Sequence, residues 1–508
     1  MLARTIFLLV VVSTGFNQTI WAQERGPILP MDDPALWYYN ALLARGYLSS
    51  LDAGSFPISE SAFRLGLQDA STELGGVLPR LQRRLFSDSS LTSRHFGIRL
   101  RPGVSVANQE ASNFLRSESN PSNVIYSLLG FESWFTAGNF TAAWGWRHDR
   151  YYDRDPEGLD TAHRWAIRPE NAYISYSGKY ANIMVGRVRR HWGGYSQPGF
   201  LLSDNPRPMD HLAFRVGTNR LNLSTNLSEL DSITGDGRFT GTAGDDSVSS
   251  GSERRYLAVH KLTIAKPGSW SIGLMHSILY SGANSGVSLK FINPLQLAIL
   301  SVDEKPKNEE NNGLLGAFFQ INRPSLLIQG QVAIDDFDLL NGKEPASLAA
   351  TLFVYRANMF SHLDVSAGAT VVTARTFNAD QPEGKYLYLQ RGIGTQYSDF
   401  VSAFASATVF IGSGTTIMPR LDVLFQGEGD FHQPFPAHDG PPALFSGVVE
   451  RTIRPSVSFQ VVLSQLIDME ATGGVNLTNN TNHINGASGA HFSGGVSISY
   501  RFIWDGAF

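Results

Sequence analysis

From residue 94 to the C-terminus, apolar and polar residues alternate along the chain with a period of two. Phe96, Ile98 and Leu100 fall on one face of an extended segment, and Arg99 and Arg101 fall on the other. Only a β-strand presents successive residues on opposite faces. The same alternation closes the chain, where the apolar positions are Phe492, Val496, Ile498, Tyr500 and Phe502. The pattern predicts a mainly β chain whose strands each have one apolar face.

The connections between these segments alternate between tight turns and long polar stretches. Gly138-Asn139 and Lys266-Pro267-Gly268 are tight turns, whereas Arg189–Asp210 and Arg375–Phe400 are long. Short turns on one side and long loops on the other are typical of membrane barrels. We predict a transmembrane antiparallel β-barrel of about 18 strands, an even number that returns the C-terminus to the short-turn side. A soluble β-sandwich is the alternative, since its strands also alternate.

The beginning of the chain reads as an export signal. Arg4 precedes a short apolar core, Ile6 to Val12, and Ala22 offers a small residue for cleavage. This arrangement predicts a secretory signal peptide over residues 1–22. The core is too short to span a membrane as a helix.

A helical segment is predicted between the signal and the barrel, over residues 23–90. Asp32-Asp33 is a candidate cap for a helix from Ala35 to Tyr47, and Ser59-Glu60 opens a second. Leu74 to Leu85 reads as a third helix. The barrel is assigned to residues 91–508.

Composition narrows the class of protein. Charged residues make up 17% of the 508 residues, below the usual quarter of a soluble domain. No segment after the signal has the roughly 18 unbroken apolar residues of a membrane helix, so a closed barrel is the remaining way to span a bilayer. Loss of Arg4 with the signal changes the net charge from −4 to −5. That balance excludes a strongly basic nucleic-acid surface, and the absence of cysteine excludes disulfides and thiolate metal sites.

The densest unusual segment runs from Met184 to Met209. Arginine side chains can pair with the carboxylates of acidic sugars, aromatic rings can stack on sugar faces, and Asp and Asn can bind sugar hydroxyls. The paired glycines Gly193-Gly194 allow close backbone approach. A rigid loop pinned inside the barrel is the alternative reading. We predict polysaccharide contacts from Arg187, Arg189, Arg190, His191, Trp192, Asp204, Asn205 and Arg207.

This segment also resembles the signature of the capsule-assembly Wzi family. The resemblance rests on Gly186-Arg187, Trp192-Gly193 and Leu202-Ser203-Asp204-Asn205-Pro206-Arg207-Pro208, with weaker matches at Asn293-Pro294 and Ile334-Asp335-Asp336-Phe337. It implies an outer-membrane barrel of eighteen strands, with a helical element that helps to close it. It also implies a lectin-like role that retains capsular polysaccharide or exopolysaccharide at the cell surface. Two departures, Gly193-Gly194-Tyr195 and Pro206, bear on which glycan would be bound.

Other classes of function find less support in the sequence. It contains no Gly-x-Ser-x-Gly elbow and no His-Glu-x-x-His motif. We therefore predict no enzyme activity and no cofactor. We also predict a monomeric protein. A porin or specific solute channel is the alternative function, because it would share every fold signal.

The sequence also leads to structural predictions for two further segments. The stretch Phe291 to Leu300 is apolar within a long connection, and we expect it to fold into the barrel mouth. Asp335, Asp336 and Asp338 form an acidic cluster at a strand end. It could bind Ca²⁺, although partners for lumen arginines or a solvated rim are the favoured reading.

Overall fold

The wall of the molecule is a closed antiparallel barrel of 18 strands. The computed structural model describes residues 26–68, 94–108, 115, 124–149, 167–233, 254–282, 286–294, 310–336, 347–360, 363–412, 414–435, 444–464 and 466–507. The barrel strands are β1 (Arg94–Ala107), β2 (Val124–Ala137), β3 (Phe140–Asp149), β4 (Ile167–Ser177), β5 (Ala181–Val188), β6 (Met209–Gly217), β7 (Leu221–Leu230), β8 (Arg254–Lys266), β9 (Trp270–Gly282), β10 (Glu310–Arg323), β11 (Leu326–Asp336), β12 (Ser347–Phe360), β13 (Leu363–Val372), β14 (Phe400–Ile411), β15 (Thr415–Gln426), β16 (Glu450–Val462), β17 (Ile467–Asn479) and β18 (Ser488–Tyr500 with Phe502–Ala507).

Closure is made by β18, whose two stretches both pair with β1. Val496 lies opposite Val106, and Phe502 lies opposite Leu100, with the interruption at Arg501. Each other strand pairs with its neighbours in the chain. A closed ring leaves no unpaired strand edge, which is the condition for β-structure in lipid. The predicted fold class and strand count are confirmed.

The period-two pattern separates the two faces of the wall. Ile174, Val185 and Leu274 point outward and are exposed. Their neighbours Tyr173, Met184 and Met275 point into the barrel and are buried. The outer face therefore carries an apolar belt of the kind that meets lipid hydrocarbon. The inner face holds polar side chains together with a packed core.

Connections of two lengths separate the two ends of the barrel. The short ones lie where the sequence predicts turns, for example between β2 and β3 and between β8 and β9. Gly138 and Gly268 adopt positive φ in those two turns, a conformation that glycine reaches at no steric cost. All the long connections lie at the other end.

The N-terminal segment, residues 26–68, lies inside the barrel near the short-turn end. It contains a two-stranded sheet (Ile28–Leu29 with Ile58–Ser59), a 3-10 turn (Pro34–Tyr38) and helices α1 (Tyr39–Ala44) and α2 (Glu60–Gln68). Asp33 caps the turn by accepting from the Ala35 amide at 2.9 Å, and α2 begins at the predicted Ser59-Glu60. The first helix is shorter than predicted, since it ends at Ala44 rather than Tyr47. The third predicted helix, Leu74 to Leu85, lies outside the described residues.

Ion pairs anchor this segment to the inner wall. Arg45 makes two hydrogen bonds with the Asp364 carboxylate on β13, at 2.6 and 2.8 Å. Glu60 accepts from Arg99 on β1 at 2.9 Å. A third cluster joins Asp52 to β6 and β8. The apolar side of α1 packs against buried side chains of the wall. The segment is therefore fixed to several strands at once.

Further short elements lie in the long connections. They are helix α3 (Leu289–Ile292), 3-10 turns at Pro382–Gly384 and Thr481–His483, and a small strand pair, Leu387–Tyr388 with Arg391–Gly392. No helix among the described residues is long and apolar enough to cross a membrane.

One expectation about a long connection is wrong. Phe291 does not fold into the barrel mouth, because its ring packs 4.4 Å from Tyr280. Tyr280 shares the outward face of β9 with the exposed Leu274. The physical reason is a pre-existing apolar cluster on the outer wall, where Tyr256, Ile278 and Tyr280 bury the Phe291 ring. Residues 295–300 of the same stretch lie outside the described residues.

Candidate functional site

Two long connections turn back into the barrel and meet there. We call residues 189–208 and 373–399 together the plug. Ser203 Oγ donates to the carbonyls of Ile393 and Gly394 at 2.7 and 2.6 Å. Tyr386 OH donates to the Leu201 carbonyl at 2.7 Å, and Asn205 Nδ2 donates to the Gly392 carbonyl at 2.8 Å. The two connections therefore fold as one unit.

An apolar core joins the plug to the β8–β13 side of the wall. Phe200, Leu201 and Leu202 from the first connection pack with Phe377 and Tyr386 from the second. The wall supplies Leu257, Val259, Met275, Leu279, Leu314, Phe318, Ala333, Ala349 and Val372 to the same cluster. All of these side chains are buried, so this half of the lumen is filled by packed protein.

Paired glycines allow the plug to approach the wall. A Cβ on Gly194 would lie 2.6 Å from Gln329 Oε1 on β11 and 2.2 Å from Gln197 Nε2. On Gly394 it would lie 2.5 Å from the Phe200 carbonyl oxygen. Real Cβ atoms do not approach other atoms so closely. The close approach that the sequence indicated at Gly193-Gly194 is therefore present at Gly194, where it is made to the ends of two glutamine side chains, Gln197 in the plug and Gln329 on the wall.

Two of the predicted contact residues are buried within the plug. Trp192 is 3% exposed, and the Lys261 ammonium lies 5.3 Å from its ring centroid. Backbone hydrogen bonds join His191 to Phe56 in both directions, at 2.9 and 3.2 Å. These contacts fix the plug to the N-terminal segment. Because protein already covers the Trp192 indole, a sugar ring cannot stack on it.

Three more have protein partners in or beside the plug. Arg190 Nε donates to His211 Nε2 at 2.7 Å, and its guanidinium contacts the Met184 sulfur. Asn205 holds the two plug connections together through Gly392. Arg207 is partly exposed and lies near Tyr388.

Arg187 lies elsewhere, on the outer face of the wall. It shares the outward side of β5 with Ile183 and Val185. Its guanidinium pairs with the Asp210 carboxylate on β6, with Nε 3.0 Å from Oδ1. The structure therefore separates Arg187 from the lumen residues with which it was grouped.

Arg189 and Asp204 remain accessible within the lumen, on the side away from the packed core. With four neighbours they form what we call the lumen patch: Asp32, Arg101, Arg147, Glu170, Arg189 and Asp204. Arg189 Nη2 lies 3.5 Å from Glu170 Oε2, and the Asp204 side chain is 38% exposed. Arg147 Nη1 donates to Asp32 Oδ2 at 3.0 Å, and Arg101 lies 3.6 Å from the same oxygen. All six side chains are partly open to solvent.

Positive charge keeps two acids of the patch ionised. Burial by itself would raise the pKa of Asp204, but His191 and Arg189 outweigh it and hold that pKa below its ordinary value. The surrounding protein opposes ionisation of Asp32 only in part, because its side chain is 51% exposed, and Arg147, Arg101 and Arg189 lower its pKa. Arg189 therefore acts on both carboxylates. The patch presents side chains of both charge signs, which suits hydrogen bonding to hydroxyls and carboxylates.

Four members of the patch were not predicted from the sequence. Asp32 precedes the first helical turn and was interpreted only as a cap. Arg101 was interpreted as a polar position of a strand, Arg147 lies on β3, and Glu170 lies in a bulge where β3 and β4 change register. The signal available was the inward position of the two strand arginines. Their meeting with residue 32 depends on how the N-terminal segment enters the barrel, which no local pattern encodes.

The acidic cluster at the end of β11 contributes to the plug. Asp335 is buried, and its Oδ2 accepts from the Phe377 amide at 2.5 Å. Asp338 lies outside the described residues. Within the described part of the chain, no group of three or more His, Asp or Glu side chains has the arrangement of a metal site.

The fold and site define a class: an 18-strand barrel whose lumen contains an N-terminal segment and an inward plug. The fold is similar to that of Wzi, an outer membrane protein of Escherichia coli involved in group 1 capsule assembly and described as a carbohydrate-binding β-barrel. The TM-score is 0.62 at 13% identity, over 94% of this chain and 99% of that one. The resemblance noted in the sequence is thus confirmed at the level of the fold.

Other barrels match less well. OpdK of Pseudomonas aeruginosa gives a TM-score of 0.44 at 10% identity, over 81% of this chain and 99% of that one. OccAB4 of Acinetobacter baumannii gives 0.44 at 8%, over 82% and 99%. No protein-family model and no curated protein sequence matches the chain.

Proposed function

We propose that this protein resides in the outer membrane and binds capsular or extracellular polysaccharide, helping to retain or assemble it at the cell surface. The location is supported by the closed barrel with its apolar outer belt. The binding role is supported by the lumen patch and by the shared fold with a carbohydrate-binding barrel.

The main observation behind this proposal is that the lumen patch is partly exposed, while the other half of the lumen is filled by the plug. The plug packs against β8–β13 through buried apolar side chains. An open porin instead keeps a wide aqueous lumen. The obstruction favours a binding protein over the channel alternative.

Arg189 is the residue of the patch that we expect to matter most. Its guanidinium is partly exposed and lies 3.5 Å from Glu170, a distance longer than a strong charge-assisted hydrogen bond. Its partly exposed N–H groups can donate to the carboxylate of an acidic sugar, while Asp204 accepts from sugar hydroxyls. Each contact is weak, and a long polymer sums many of them over several barrels.

The test is binding of the purified barrel to an acidic and a neutral polymer, polygalacturonate and dextran. Loss of a hydrogen bond to a charged group costs about 1.5–3 kcal/mol, so Arg189→Ala should weaken polygalacturonate binding by roughly tenfold or more. Arg356→Ala is the matched control, because Arg356 is exposed on the outer face of β12. It should bind like the wild type.

Three results are informative. Selective loss in Arg189→Ala supports the patch. Equal binding by wild type and Arg189→Ala would mean that the glycan is bound elsewhere than at the lumen patch. No binding to either polymer, by a barrel whose circular dichroism shows it to be folded, would count against a role in retaining acidic polysaccharide.

A further inference from the structure

Residues 286–294, which we call the outer flap, lie against the outside of the barrel. The Ser288 amide donates to Tyr280 OH at 3.3 Å, and His260 Nε2 donates to the Phe291 carbonyl at 2.9 Å. His260 Nδ1 then accepts from Thr225 Oγ1 at 3.0 Å. Three adjacent strands, β7, β8 and β9, thus hold the flap in place.

The described flap residues, 286–294, cover the outer wall near the long-loop end. Tyr256 and His260 share the outward face of β8 with Leu262, and only Leu262 is exposed. On β9, Tyr280 is covered while Leu274 is exposed. Residues two apart on a strand are separated by roughly 7 Å. The flap therefore begins within about that distance of the apolar belt.

Two aliphatic side chains of the flap point away from the wall. Leu289 is 83% exposed and Val287 is 61% exposed, whereas Phe291 is buried against the barrel. Lys290 lies between Leu289 and Phe291 in the chain, and its ammonium is 5.5 Å from the Phe291 ring centroid. An aliphatic outer side with a lysine beside it suits the boundary between acyl chains and headgroups, where lysine can extend its charge toward water.

We propose that the outer flap inserts into the outer-leaflet acyl chains, with Leu289 and Val287 as its lipid contacts. Acyl chains are the expected contact of the flap because it adjoins the apolar belt on β8 and β9, which already faces lipid. It extends the lipid-contacting surface on this one side of the barrel. The inference rests on the proposed membrane location, and the test separates the two.

The test uses single fluorophores, since the chain contains no cysteine. Leu289→Cys, Leu274→Cys and Ile484→Cys are each labelled with bimane in nanodiscs that hold one barrel. The lipid is phosphatidylcholine with brominated acyl chains, and iodide is the aqueous quencher. Leu274 (54% exposed) represents the belt, and Ile484 (61% exposed) represents the long-loop end.

We expect brominated lipid to quench the Leu289 label at least half as strongly as the Leu274 label, and iodide alone to quench the Ile484 label. Adding Phe291→Ala, which removes the buried ring, should lower lipid quenching at Leu289 but not at Leu274. Quenching at Leu289 by iodide only, or by neither agent, would overturn the inference. Failure of lipid quenching at Leu274 would instead overturn the membrane location.

Discussion

Asp52 offers the sharpest test of how the N-terminal segment is fixed. Its Oδ2 lies 3.9 Å from Lys261 Nζ and 3.6 Å from Arg215 Nη1, and it accepts from Ser55 Oγ at 2.8 Å. The Asp52 and Lys261 side chains are 4% and 1% exposed. Both charges have therefore left water: Lys261 and Arg215 compensate Asp52, and Asp52 compensates Lys261.

Asp52→Asn should release the segment from the wall. At an effective dielectric constant of about 20, unit charges at the Asp52–Lys261 separation attract by roughly 4 kcal/mol. Removing one partner of a buried pair costs about 3–5 kcal/mol, because the other charge stays buried. Asparagine keeps an acceptor for Ser55, so we expect the lower end, about 3 kcal/mol. That corresponds to roughly a hundredfold shift in the docking equilibrium.

Hydrogen exchange of the α1 amides (Tyr39–Ala44) measures this equilibrium directly, since the segment can open without the barrel. Asp210→Asn is the control, because that acid is exposed and pairs with Arg187 on the outer wall. It should cost under about 1 kcal/mol. Unchanged protection of α1 in Asp52→Asn would refute the reasoning.

The effect should also depend on pH. Burial opposes ionisation of Asp52, but Lys261 and Arg215 outweigh it and lower its pKa in the folded protein. A lowered pKa contributes stability above the unfolded-state pKa, and that stability is lost as the pH falls through the folded-state value. The difference in protection between wild type and Asp52→Asn should therefore shrink on acidification. A constant difference down to low pH would contradict this assignment.

Three further predictions concern the plug. Burial lowers the pKa of Lys385 to about 7, despite Asp430 and Asp380. Between about pH 7 and 10 the unfolded chain therefore binds more protons than the folded protein, so the stability of the folded state rises with pH over that range. Amide protection of residues 428–433, corrected for intrinsic exchange, should rise accordingly in wild type but not in Lys385→Met. Trp192→Phe should keep polygalacturonate affinity within about twofold, because the buried ring contacts no sugar; a larger loss in a folded barrel would contradict this. Planar-bilayer recordings should show no steady large conductance, and sustained porin-like currents would mean that the lumen is open.

The strands were predictable because each carries its own signal. Phe96, Ile98 and Leu100 fall outward, and Arg99 and Arg101 fall inward, as the alternation requires. Turn residues such as Gly138-Asn139 mark the short connections locally. Barrel closure then follows from counting strands, since hydrogen bonding in lipid allows no free edge.

The plug was not predictable in the same way. Arg375–Phe400 was interpreted as a long polar connection, yet Arg375, Phe377, Lys385 and Tyr386 are buried inside the barrel. The Lys385 ammonium finds two of its acceptors on distant backbone, the Phe431 and Gln433 carbonyls. Such partners are far apart in sequence, so composition alone marks the segment as exposed.

The candidate site was predicted in part. The sequence identified the segment containing Arg189 and Asp204, but charge and aromatic content could not separate accessible residues from packed ones. Trp192 and His191 have the chemistry of a sugar contact and the environment of a core. Arg187 shares a strand face with lipid-facing residues. Its position two residues after Val185, on the same face of the strand, could have indicated this.

The most direct test of the account is the amount of polysaccharide that stays with cells. Cells producing wild type, Arg189→Ala or no barrel are compared at matched barrel abundance in the outer membrane. We predict that wild type retains the most and that Arg189→Ala falls toward the level of cells without the protein. Equal retention in all three would contradict the proposal that this barrel holds polysaccharide at the cell surface.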